Sequence, residues 1–155
     1  MISQVHVINS LGTGGAEKTL AALVECGSLD RIVIFALVNK ANTLSEAQRL
    51  RKMGASVHLL DIKGPISYCY KLFVFSIYLR RQDDLHLVAW LHHSWIFTSL
   101  SSGLTSLVTP ELRNKIRLFF NIRSSPPPFL LSPQVLKEWL TFRLCVVLSW
   151  LLKPS

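Results

Sequence analysis

The sequence is short of acidic residues, of cysteine and of long unbroken apolar runs. Nine Asp and Glu face 17 Lys and Arg over 155 residues, a formal net charge of +8. The excess is diffuse: residues 1–84 carry 10 basic and 7 acidic side chains, and residues 85–155 carry 7 and 2. No Lys/Arg block occurs, so nucleic acid is not an expected partner. An anionic lipid surface or a phosphate-bearing ligand fits the balance at least as well. The three cysteines, Cys26, Cys69 and Cys145, lie far apart and inside apolar stretches. That spacing excludes a disulfide frame and predicts buried free thiols in a reducing compartment. There is no Asp-x-Asp pair and no His/Cys cluster, so neither a metal site nor a metal cofactor is expected.

Membrane-spanning length is also missing. The most apolar segments, 66–79 and 139–152, are 14 residues each and are broken by Lys71 and Arg143. A normal span needs about 20 apolar residues. The opening MISQVHVINS has no basic segment followed by a long apolar stretch, so no secretory signal is read there. The expectation is a cytoplasmic chain, peripheral at most at the inner face of the membrane.

What is present is a great deal of apolar sequence in short pieces. Half of the residues are hydrophobic and 17% are charged, which excludes a disordered tail. The length suits one domain with a sizeable core. Strands are predicted over 5–9, 31–38, 56–62, 86–91 and 116–122, and helices over 16–26, 43–53, 66–81, 95–108 and 133–152. Thr43 or Asn42 would cap the second helix. The stretch SSPPP, 124–128, must be extended, because proline disfavours helix in the residue before it. Alternating strands and helices with short connections predict an α/β, Rossmann-like, doubly wound parallel sheet. The assumed strand order is 3-2-1-4-5.

Between the first strand and the first helix stands NSLGTGGAEKTL, with Gly12, Gly14 and Gly15 close together. The phosphate-loop pattern GxxxxGK[ST] fails where Glu17 replaces its second glycine. The dinucleotide pattern GxGxxG fails at the same residue, and the second strand ends without the acid that would hold a ribose. Two readings remain. Glycines at a helix N-terminus let a ligand approach the peptide N–H groups, or Gly14-Gly15 is an ordinary tight turn with Glu17 favouring the helix dipole.

Three stretches together carry a family resemblance. HVINSLGTGGAEKTL resembles the opening of GT-B glycosyltransferases of the family-4 type, with its "HVI…LGxGGAE" pattern. VAWLHHS resembles that family's "WLYHAD", and LFFNIRSS its "WNIRNS". The closing LCVVLSWLLKPS is similar to the segment leading to the next strand of that domain. The likeness runs along essentially the whole chain in order. It implies the N-terminal, acceptor-side half of a two-domain enzyme, spanning 1–155 and incomplete at its C-terminus, with the donor-binding C-terminal domain absent. The implied activity is transfer of a hexose, with retention, from a nucleotide sugar to a glycan or lipid-linked acceptor of the cell envelope. The chain by itself is then expected to be inactive without a separate donor domain, and no cofactor or metal is implied.

The resemblance also assigns residues. Gly12, Gly14 and Gly15 would lie against the donor's diphosphate or sugar. His93 matches the family histidine and is the implied catalytic residue, while His92 stands at the tyrosine position. Arg123, followed by Ser124, matches the family arginine; with His92 these are implied to hold acceptor or anion. Ser94-Trp95 departs from the family's Ala-Asp, which puts an acid/base role for that loop in doubt. The rivals are a non-catalytic remnant or binding module of the same fold and, further off, a dinucleotide-binding protein. The strand histidines His6, His58 and His86 read as structural. The helix over 66–79 is apolar nearly all round, with Lys71, Arg80 and Arg81 nearby, so it is either deeply buried or meets a partner domain or lipid.

Overall fold

The computed structural model describes residues 3–27, 32–40, 42–82, 85–109, 111 and 115–121. The expected helix over 133–152, the SSPPP stretch, Cys145, Arg123 and Ser124 lie outside these residues. In chain order the elements are β1 (Ser3–Ile8), α1 (Gly15–Glu25), β2 (Ile32–Ala36), α2 (Thr43–Lys52), β3 (Ser56–Leu59), α3 (Pro65–Arg80), β4 (Leu85–Trp90), α4 (Leu91–Val108) and β5 (Ile116–Asn121). All four strand pairings are parallel. The sheet order is β3-β2-β1-β4-β5, the order assumed from the sequence.

Two core layers follow from the pleat. On one face Ile8, Ile34 and Trp90 pack against Leu20 and Val24 of α1 and Ala47 and Leu50 of α2. On the other, Val5, Val7 and Leu87 pack against Phe75 and Leu79 of α3 and Phe97 of α4. The central strand β1 alternates Val5, Val7 toward one face and Ile8 toward the other, because successive side chains of a strand point to opposite sides. β2 is buried along all five residues, as a strand covered on both faces should be. The fold is therefore a doubly wound, Rossmann-like sheet flanked by helices. Among the described residues no helix is long and apolar enough to cross a membrane.

Three expectations need correction. The fourth helix begins at Leu91, directly after β4, and not at Trp95; residues 92–95 are its first turn and not a loop. The chain turns there without a glycine because Leu91 itself takes a left-handed conformation, φ 69°, at a cost of about 1–2 kcal/mol. Two indoles pin the junction: Trp90 Nε1 donates to His6 Nδ1 (3.1 Å) and Trp95 Nε1 to the Ala89 carbonyl (3.0 Å). Second, Cys26 and Cys69 are exposed free thiols. Cys26 falls past the inward stripe of α1, and Cys69 lies on the outer side of α3, whose apolar neighbours are not themselves buried. Third, neither Asn42 nor Thr43 caps α2 through its side chain.

Candidate functional site

Thr43 has other work. It is fully buried, and its hydroxyl donates to the Leu11 carbonyl (2.9 Å) while accepting the Lys40 N–H (2.9 Å). The start of α2 thereby ties down the loop between β1 and α1. Ser10 and Leu11, the first residues of that loop, are buried, whereas Thr13, Gly14 and Gly15 are exposed. A loop with a fixed base and an open tip is the result. Thr43→Val keeps the shape but removes both hydrogen bonds, which should cost about 1–3 kcal/mol. Urea unfolding reads the loss, and the amides of residues 10–15 should exchange faster. Thr43→Ser should recover most of it; a valine variant as stable as the wild type would show that the anchor is idle.

The glycines themselves are informative. None of Gly12, Gly14 and Gly15 adopts the left-handed backbone that demands glycine, and a Cβ at Gly12 or Gly15 would meet nothing within 4 Å. Neither backbone conformation nor internal packing explains these two residues. At Gly14 a Cβ would strike the Glu17 carboxylate, the mobile end of a side chain. Glu17 thus folds back over the start of α1, where its charge suits the positive end of the helix. It also offers a hydrogen-bond acceptor at the loop tip, and a phosphate arriving there would have to displace it.

The position in the sheet is the one at which doubly wound folds bind ligands. β1 pairs with β2 on one side and β4 on the other, and Ile8 and Trp90 are register partners. The chain leaves these two strand ends side by side, with α1 turning to one face and α4 to the other. The glycine loop and the first turn of α4 are therefore brought together across the crevice. His92 and His93 are the second and third residues of α4, and the His93 side chain is exposed. Ser94, next in that turn, has a buried hydroxyl with no hydrogen-bond partner. Sequence reasoning picked out the glycines and histidines as candidates, read Thr43 only as a helix cap and passed over Leu91 and Ser94. A lone Thr after Asn42, a Leu and a Ser carry no signal of such roles.

Backbone caps do not single the site out: α1 and α4 start without a side-chain cap, but so do α2 and α3. Among the described residues no group of three or more His, Cys, Asp or Glu could hold a metal ion. An open hollow of about 510 Å³ lies elsewhere, at the β3 edge, lined by Phe35, Leu44, Arg51, His58, Val74 and Tyr78 among others. There the His58 ring stacks on Phe35 with centroids 4.8 Å apart. Burial, and then the Arg51 guanidinium, hold the His58 pKa below its usual value. This hollow shares no residue with the glycine loop, and its walls are mostly apolar, with Arg51, His58 and Tyr78 as the polar side chains. At the β1 and β4 ends stand exposed polar positions, Thr13, Gly14, Gly15 and His93, with the Glu17 carboxylate beside Gly14. No family profile matches the sequence, and no curated protein matches it either.

Proposed function

We propose that the chain is the acceptor-side half of a GT-B sugar-transfer enzyme, binding a nucleotide sugar and a glycan or lipid-linked acceptor between the glycine loop and the start of α4. The observation that carries this reading is the pair Gly12 and Gly15. Both sit on a loop whose base is anchored, and both lack a side chain for no internal reason. Close approach of a ligand to bare backbone is the remaining use for them. Glu17 supports a sugar in particular, since an ionised carboxylate accepts hydrogen bonds from hydroxyls. His93 supplies an exposed imidazole across the crevice, able to hydrogen-bond a sugar hydroxyl or to carry a proton. Transfer needs the leaving diphosphate neutralised and the acceptor hydroxyl held beside it. One Rossmann-like unit provides a single wall of such a cleft, so turnover requires a second domain.

Titration of the ¹⁵N-labelled chain with UDP-glucose tests the reading. Amide shifts should concentrate at residues 12–15 and 91–94, NAD should produce none at micromolar concentration, and no glucose should be transferred by residues 1–155 alone. Shifts confined to the β3 hollow, or tight NAD binding, would reject the proposal. Binding at the crevice with transfer by the single chain would reject the half-enzyme part of it.

A further inference from the structure

The outer face of α3 is the largest departure from an ordinary surface helix. Its inward residues, Leu72, Phe75 and Leu79, pack on the sheet. On the opposite side Ile66, Tyr70, Phe73 and Val74 are 87, 62, 57 and 40% exposed. At 100° per residue these four fall within about a quarter-turn of one another, and Cys69, Arg80 and Arg81, all exposed, lie on the same side. Leu44 of α2, 54% exposed, widens the patch across the β3 hollow that it shares with Val74. A helix on a sheet needs one apolar stripe; this one has two.

Charge selects what covers the second stripe. α3 contains Lys71 and Arg80 and no acid, and Arg81 follows at its C-cap. The Lys71 ammonium stands 5.7 Å from the centre of the Tyr70 ring, at the margin of the stripe. The nearest acids in sequence lie outside the helix: Asp61, already paired with Lys63 at 3.0 Å, and Asp83 and Asp84. A second copy on this face would bring the same cations and no acid from its own α3, leaving Lys71, Arg80 and Arg81 without opposite charge. An anionic lipid surface offers the opposite: acyl chains for Ile66, Tyr70 and Phe73 and phosphate for Lys71, Arg80 and Arg81. We infer that α3 lies on an anionic membrane surface through this stripe, a contact independent of the crevice between β1 and β4.

The test is flotation of the full chain, made by cell-free translation, with vesicles of phosphatidylcholine alone or with one-quarter phosphatidylglycerol. The chain should float with the anionic vesicles and much less with the neutral ones. Phe73→Ser with Tyr70→Ser should weaken binding at least tenfold, and each of Arg80→Gln and Arg81→Gln about fivefold. Because all four side chains point outward, circular dichroism should show the variants folded. Equal binding to both vesicles, or binding unmoved by the variants, overturns the inference. So does a concentration-dependent dimer that the serine pair abolishes while anionic vesicles leave the wild type unbound.

Discussion

Gly15→Val should abolish detectable UDP-glucose binding and leave the fold almost untouched. Gly15 is the first residue of α1, exposed, and a Cβ there meets nothing. Valine is a better helix former than glycine, and surface changes of this kind usually stay within about 0.5 kcal/mol. If a ligand lies on the backbone, however, two added methyl groups occupy the space its atoms need. The affinity should fall by more than tenfold, with the amide shifts at residues 12–15 lost. Calorimetry and thermal unfolding on the same samples separate the two effects. Wild-type affinity in the valine variant would return the loop to an ordinary turn and take the principal support from the nucleotide-sugar reading.

The second large effect is a loss of stability in mild acid, traced to His6. This side chain is 2% exposed in the central strand. Its Nδ1 accepts the Trp90 indole N–H, so the neutral ring carries its proton on Nε2, which is buried and has no partner. Burial pushes its pKa from 6.5 down to about 4. The unfolded chain takes up a proton near pH 6.5, while the folded chain resists until about pH 4. Stability is therefore full above pH 6.5 and falls between 6.5 and 4, by about 3 kcal/mol in all. Protonating Nδ1 would also set two donors against each other beside the Leu91 turn. His6→Gln retains an acceptor for the indole but does not titrate. Urea midpoints at pH 7.5 and 4.5 should differ much less in that variant; parallel losses in both proteins would clear His6 of the effect.

These two residues also show how far the sequence could be read. The parallel sheet was legible because 31–38 is an almost continuous apolar run, as a strand buried on both faces requires, and because helices alternate with strands throughout; the strand order was an assumption that these signals do not encode. His6 was legible as structural, since it sits among Val5, Val7 and Ile8. The junction at Leu91 was not. A turn between strand and helix is expected to use glycine or a polar residue, and Leu91 carries neither mark; the cost is offset by Trp90 and Trp95, whose hydrogen-bond partners are set only by tertiary packing. The thiols failed for a related reason. Apolar neighbours predict burial when a helix has one apolar stripe, and α3, where Cys69 lies, has two. For the site, the glycine spacing named the loop, but the anchor at Thr43 depends on a contact 32 positions away, which no local pattern encodes.

The pairing of β1 with β4 has a consequence for how the chain is made. Val5 and Leu87 are register partners 82 positions apart. Parallel neighbours cannot close as a hairpin, so β1 must wait for β4 while the intervening helices and strands are synthesised. At about 5–20 residues per second that interval is roughly 4–16 s. During it β1, β2 and β3 can assemble with α1 and α2, but the β4-facing edge of β1 has no strand to pair with. Phe75 of α3 likewise waits for Phe97 of α4, its ring neighbour at 5.3 Å. The middle of the finished sheet is thus the seam that waits longest on the ribosome, followed only by the addition of β5 at the edge, and the nascent chain is most open to wrong strand partners at the strand that ends up best protected.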